Sequence, residues 1–243
     1  MVDIHCHILP GIDDGSRSWE MTAEMCRMAA EDGITHIVAT PHANHAFAYD
    51  RERYTEMLGE LRDAADGKLT FSLGCDFHFS YDNIQDALEY PRRYTIGDTE
   101  YLLIEFSDYA IPPSVHQDIF ALRSHGIVPI VTHPERNQLL LKKPETVLSL
   151  VEQGCLVQVT ADAATGAWGK RSQSMIKWLL ERDAVHVVAS DAHDAVRRRP
   201  LLSQAREAVA RISGAETAEA LVHHNPAAIV EGKARLNARR ETG

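Results

Sequence analysis

Histidines and carboxylates stand at the ends of short apolar runs along nearly the whole of this 243-residue chain. His5 and His7 close Val2-Asp-Ile-His-Cys-His7, and His42 closes Ile37-Val-Ala-Thr-Pro-His42. His133 follows Ile130-Val-Thr, and His193 ends Val187-Val-Ala-Ser-Asp-Ala-His193. Asp76 follows Leu73-Gly-Cys, Glu105 follows Leu102-Leu-Ile, and Asp191 follows Ala189-Ser. Imidazole nitrogens and carboxylate oxygens are donors for divalent cations, and so many at strand ends are what a polynuclear metal site requires. The chemistry they point to is metal-dependent hydrolysis.

Spacing sharpens that reading. Side chains alternate along a strand, so His5 and His7 share one side while Cys6 points away, and Asp191 and His193 repeat the pattern on the last run. The elements needed to position them are legible as strands over Val2-His5, Ile34-Ala39, Leu69-Gly74, Tyr101-Glu105, Ile127-Val131, Cys155-Val159 and Val185-Ala189. They are apolar on both faces, as in a buried parallel sheet. Helix-type segments alternate with them at Ser18-Asp32, Arg51-Asp66, Ser114-His125, Pro144-Gln153 and Trp168-Arg182. Ser18 is placed to cap the first, with Met21, Met25, Met28 and Ala29 as its core face. Leu201-Ile212 and Ala215-His223 follow, and Asn225-Pro226 reads as a turn. The expectation is an α/β fold, a distorted parallel barrel of seven strands, because only closure brings first and last strands to one mouth. An open doubly wound sheet is the alternative.

Composition removes other classes. A formal charge of −10, from 25 basic and 35 acidic side chains, speaks against nucleic acid as a partner. No apolar stretch approaches the roughly 18 residues that insert into a membrane, and Asp3 and His5 interrupt any signal-peptide core, so a cytoplasmic protein is expected. The four cysteines lack Cys-x-x-Cys spacing. The residues six after them are Ile12, Asp32, Tyr81 and Ala161, which excludes a Cys-x5-Arg phosphatase loop. One domain over residues 1–232 is expected, with 233–243 as a solvated tail.

Several blocks together carry a family resemblance: His5-Cys-His7, Gly11-Ile-Asp-Asp14-Gly15, Thr40-Pro-His42, Leu103-Ile-Glu105-Phe106, His133-Pro-Glu-Arg136-Asn137 and Ala189-Ser-Asp191-Ala-His193. In this combination the chain resembles the polymerase-and-histidinol-phosphatase (PHP) superfamily. Within it, the chain most resembles the bacterial manganese-dependent protein-tyrosine phosphatases of capsule and exopolysaccharide systems. The resemblance implies a distorted (β/α)7 TIM-like barrel holding three divalent metal ions, manganese first, with iron and zinc as alternatives. By motif, the first metal takes His5, His7, Asp76 and Asp191. The second takes Glu105 and His133 and shares Asp76. The third takes Asp14, His42 and His193. Asp13 competes with Asp14, but the family motif places the ligand second. The bridging ligand of the family is commonly glutamate, and here it is Asp76.

The resemblance also implies the substrate, a phosphotyrosine protein, namely the tail of a bacterial tyrosine kinase controlling polysaccharide biosynthesis. The expected reaction is attack by a metal-activated hydroxide without a covalent phosphoenzyme. Arg136, three residues after His133, and Arg198, shortly after His193, are candidate catalytic arms for the phosphate. Arg198 otherwise belongs to a solvated helix start within Arg197-Arg-Arg199. His45 and His78 are candidate supporting or substrate contacts, and Trp168 either lines the mouth or packs in the core. The alternatives are a small-molecule phosphatase of the histidinol-phosphate type and a non-catalytic, metal-stabilised kinase-binding scaffold.

Overall fold

A computed structural model describes residues 1–233 of the chain, so the expected tail lies outside the described residues apart from Lys233. Nine strand segments run through it: β1 (Val2–Cys6), β2 (His36–Ala39), β3 (His42–Ala43), β4 (Thr70–Leu73), β5 (Asp76–His78), β6 (Tyr101–Glu105), β7 (Val128–Thr132), β8 (Leu156–Thr160) and β9 (Val187–Ala189). Every pairing is parallel, in the orders β1-β2-β4 and β3-β5-β6-β7-β8-β9. β2 and β3 are halves of one strand broken at Thr40-Pro41, and β4 and β5 are halves broken at Gly74-Cys75. Bonds from Gly74 N to Ala39 O (2.8 Å) and from Asp76 N to Pro41 O (3.1 Å) carry the pairing across both breaks. The segments therefore make seven strands, as expected.

The ring closes between the first and last strands. Cys6 bridges Ala192 in parallel register. Asp191 N donates to His5 O and His7 N to Ala192 O, each at 2.8 Å. The buried Asp3 adds a side-chain clasp, accepting from Ser190 N at 3.0 Å and from Ser190 Oγ at 2.5 Å. This is a closed barrel, and the open-sheet alternative falls.

Two apolar clusters divide the strand faces. Val2, Ile4, Val38, Leu103, Ile130, Val187 and Ala189 fill the barrel interior. Cys6, Ile37, Leu102, Ile104, Val131, Val157 and Val188 pack outward with the helices. Fully burying each of these valines, leucines and isoleucines stabilises the fold by about 1.5–3 kcal/mol before chain entropy is counted. Along β6, β8 and β9 the interior face ends in a polar residue two positions on: Leu103 then Glu105, Leu156 then Gln158, Ala189 then Asp191. The pleat thus delivers polar groups to the C-terminal mouth, where such barrels keep their sites.

On β1 the alternation is broken. The register slips between Asp3 and Cys6, a bulge that keeps Ile4 inside the barrel and still aims His5 at the mouth with His7. Unbroken alternation would have put Asp3 on the same side as those histidines.

Local signals explain the helices. Ser18 caps Trp19–Glu31 by accepting from Met21 N at 3.3 Å, and Gly33 leaves that helix with φ +88°. Its buried face is Thr22, Met25, Cys26 and Ala29, so Met21 and Met28 sit at the edge of the expected stripe. Thr22 goes inward because its hydroxyl donates to Ile8 O at 2.8 Å. Helices at Tyr81–Glu89 and Ala161–Thr165 were not anticipated. Asn225-Pro226 opens the helix Asn225–Val230 and is no turn, because proline is tolerated in a first helical turn. Trp168 does not begin a helix: it stands in the turn before Lys170–Leu180.

Candidate metal centre

Strand ends and the loops after them converge on one cavity of ≈ 260 Å³, lined by Asp14, His42, Asn44, His45, Phe47, Asp76, His78, Glu105, Arg136, Asp191, His193 and Arg198. His5, His7 and His133 are buried beside it, with Nε2 3.5, 3.6 and 3.6 Å from the lining carboxylates of Asp191, Asp191 and Glu105. The nine residues expected to be ligands therefore meet in one place.

Among the described residues the donors form three overlapping groups. His5, His7 and Asp76 form one; His7, Asp14, His42 and His193 a second; His42, Asp76 and Glu105 a third. In the first, His5 Nε2 lies 3.2 Å from His7 Nε2 and 3.5 Å from both Asp76 Oδ2 and Asp191 Oδ1. In the second, Asp14 Oδ1 lies 3.3 Å from His42 Nε2 and 3.4 Å from His193 Nε2. In the third, His42 Nδ1 lies 3.2 Å from Asp76 Oδ2 and 3.8 Å from Glu105 Oε2. His133 Nε2 approaches Glu105 Oε1 at 3.6 Å. His42 thus presents one ring nitrogen to each of two groups, and Asp76 belongs to two.

The site is short of compensating donors. Asp76 is 1% exposed, and neither of its oxygens has a hydrogen-bond partner; His42 Nδ1 and His133 Nε2 are likewise unpartnered. A carboxylate buried in this way costs several kcal/mol unless an opposite charge compensates it. The donor set of imidazoles and carboxylates fits divalent cations in that role.

Burial and neighbouring charges shift these groups in opposite directions. Burial works against a cationic His5, but the Asp76 and Asp191 carboxylates outweigh it and raise its pKa to about 9. Burial, reinforced by His193, pushes His7 down to about 3; burial and Arg136 do the same to His133. Burial raises Glu105, with the Asp76 charge adding to it. Asp191 is lowered despite burial, chiefly by His5 and Arg198.

Backbone strain marks two of these positions. His133 sits at φ +31° and Asp191 at φ +53°, left-handed values that non-glycine residues seldom adopt. Gly15 answers a different need, since a Cβ there would lie 2.2 Å from His7 O and 2.4 Å from His7 Cβ. Only glycine lets the loop after β1 close against His7.

Several neighbours were not anticipated. Asp13 and Asp14 have separate tasks: Asp13 Oδ2 stands 2.9 Å from His7 Nδ1 and accepts from His42 N at 3.1 Å. Gln158 Oε1 stands 2.9 Å from His5 Nδ1. Both contacts leave Nε2 of their histidine facing the cavity, the arrangement by which metal-binding imidazoles are oriented. Buried Glu135 accepts from Thr160 N at 2.7 Å and anchors the turn Pro134–Arg136. An interior polar residue two positions before a strand end was the available signal for Gln158. Only the family motif, which places the ligand second, set Asp14 apart from Asp13.

The two arginines reach the cavity from separate loops. Arg136 Nη1 donates to Asp191 Oδ2 at 2.9 Å, and Arg198 Nη2 lies 2.5 Å from the same oxygen without hydrogen-bond alignment. Arg197 and Arg199 are exposed, and no helix begins until Ser203, so Arg198 is an inward-pointing loop residue. His45 and His78 both line the cavity, His78 Nδ1 standing 3.8 Å from Glu105 Oε2. Phe47 stacks on His42 at 6.1 Å, and Trp168, 40% exposed, stands beside both arginines. Among the described residues no helix is long and apolar enough to cross a membrane.

Comparison with known proteins gives this geometry a context. The family model for capsular polysaccharide synthesis, CpsB/CapC, matches residues 1–231. The tyrosine-protein phosphatase YwqE of Bacillus subtilis is 34% identical over 207 residues, covering 82% of this chain and 79% of that protein. The tyrosine-protein phosphatase CpsB of Streptococcus pneumoniae is 30% identical over 239 residues, covering 95% and 98%. One chain from the crystal structures of YwqE of Bacillus subtilis and CpsB of Streptococcus pneumoniae, unique metal-dependent tyrosine phosphatases, superposes with a TM-score of 0.88 at 30% identity, covering 97% of this chain and 96% of that one. Histidinol phosphate phosphatase of Lactococcus lactis shares the fold, with a TM-score of 0.56 at 11% identity over 87% and 93%.

Proposed function

The chain belongs to the CpsB/CapC family of capsular polysaccharide synthesis, and from that premise we propose how its mouth works as a metal-dependent tyrosine-protein phosphatase. The observation that carries the reading is Asp191. Its Oδ1 faces His5 and His7 at 3.5 and 3.6 Å, while its Oδ2 faces Arg136 and Arg198. One carboxylate ties a cation-binding centre to two phosphate-binding arms.

The ligands we assign are His5, His7, Asp14, His42, Asp76, Glu105, His133, Asp191 and His193, for three divalent ions with manganese as the first choice. Such ions supply neutralising charge for phosphate oxygens and acidify a bound water. The chain's own residues do the rest. Arg136 and Arg198 offer planar N–H pairs that hold a phosphate monoester against the centre. Asp13 and Gln158 fix the ring orientations of His7 and His5. The phenol of tyrosine, with a pKa of about 10, leaves more readily than an alkyl alcohol, so a dedicated acid is less necessary.

No covalent phosphoenzyme is needed. Cys6, Cys26, Cys75 and Cys155 are all buried, and burial raises each thiol's pKa away from the reactive thiolate. Four unpaired cysteines also suit a reducing, cytoplasmic compartment. The physiological substrate we infer is the phosphorylated tail of a bacterial tyrosine kinase. Elemental analysis paired with phosphatase assays of wild type and His133→Ala tests the assignment. Loss of activity together with loss of metal is expected, and unchanged activity in the variant contradicts the site.

A further inference from the structure

Trp168 is a large aromatic residue left 40% exposed at the rim of the site. It projects from the turn after Ala161–Thr165, between Gly166 at φ +96° and Gly169 at φ +91°. The Arg136 guanidinium carbon lies 4.8 Å from the centre of its ring and that of Arg198 lies 5.9 Å away. Both guanidiniums also reach Asp191 Oδ2. Each is therefore held between a carboxylate and an indole.

The turn carrying the tryptophan is tied to the turn carrying Arg136. Ser172 Oγ, in the first turn of Lys170–Leu180, donates to Glu135 O at 2.9 Å. We propose that Trp168 is a positioning residue for the phosphate-binding fork: its ring holds Arg136 and Arg198 in the paired orientation that receives a phosphate monoester. Guanidiniums stack on aromatic faces through charge–quadrupole attraction, and an arginine held flat loses less freedom on binding. Without the ring, both long side chains gain rotamers, and the phosphate must order them again. The role rests on the phosphatase reading above, since it presumes that the arginines bind phosphate.

The test combines kinetics with arginine chemistry on the metal-loaded full chain. In Trp168→Ala, KM for 4-nitrophenyl phosphate rises roughly tenfold while kcat stays within about threefold, because the fork is engaged equally in ground and transition states. Trp168→Phe keeps KM within about threefold of wild type, which separates the ring's role from its bulk. Phenylglyoxal modification mapped by mass spectrometry reads the orientation without turnover. Arg136 and Arg198 react several-fold faster in Trp168→Ala, and exposed Arg197 and Arg199 react at wild-type rates in the same sample. Unchanged Arg136 and Arg198 reactivity, or an unchanged KM, in a folded Trp168→Ala overturns the inference. A wild type that fails to hydrolyse the aryl phosphate overturns the phosphatase reading, while the modification rates still decide whether the ring orders the arginines.

Discussion

At Asp76 neither buried carboxylate oxygen has a hydrogen-bond partner, and Oδ2 lies 3.5 Å from His5 Nε2 and 3.2 Å from His42 Nδ1. A neutral isostere removes the charge and keeps the shape. Asp76→Asn is expected to lower metal affinity beyond the roughly 100-fold that outer partners command, measured by elemental analysis after dialysis. Asp76→Glu, which keeps the carboxylate, is expected to keep its metal; retention of full metal by Asp76→Asn would remove Asp76 from the centre. Asp13 belongs to the outer layer, so Asp13→Ala should cost about 10–100-fold in metal affinity through loss of the His7 orientation. An unchanged affinity would leave that contact without a task. Eight of the nine candidate ligands were legible as donors at strand ends, which have few other uses, and Asp14 was legible only through the family motif. Asp13, Gln158 and Asp3 were not, because a buried polar residue reveals its partner only once distant strands meet.

The loop after β1 is where an element constrains the chemistry. Gly15 lies against the His7 backbone, and Gly15→Ala forces either the loop or the histidine to move. We expect it to cost about 1–3 kcal/mol by overpacking and to lower metal content as well. Ser18→Ala, three residues on, removes only the helix cap and should cost about 1 kcal/mol with metal binding intact. Urea denaturation with metal quantification separates the two, and equal effects on metal binding would contradict the distinction. Strand positions were legible from apolar runs bounded by turns. The breaks at Thr40-Pro41 and Gly74-Cys75 were not, since strand direction and the pairing of the two strands both continue across them. The β1 bulge was equally hidden, because the His5–His7 spacing looks the same with or without it.

For the whole molecule, closure of the barrel and burial of its histidines set the response to acid. Burial holds His36 and His186 at about 4, against 6.5 for a free imidazole. Between those values the unfolded chain binds more protons, so stability is complete above about pH 6.5 and falls as the pH drops through 4. His186 Nδ1 accepts from Val157 N at 3.1 Å, and protonation ends that bond. His186→Gln should therefore lose on the order of 2 kcal/mol less than wild type between pH 7 and 4.5 in urea denaturation. An acid limb of unchanged slope would contradict this. Seven parallel strands around one mouth were readable because ligands on first and last strands demand a closed ring. The arginine pair converging on Asp191 depends on loop geometry that no periodicity records. The most direct measurement of the central claim is turnover of a phosphotyrosine peptide and of histidinol phosphate by the same preparation, chelated and then reloaded with manganese. The account predicts phosphotyrosine hydrolysis that disappears on chelation, returns with the metal and exceeds that of histidinol phosphate. A metal-loaded protein inert toward phosphotyrosine, or faster on histidinol phosphate, would contradict it.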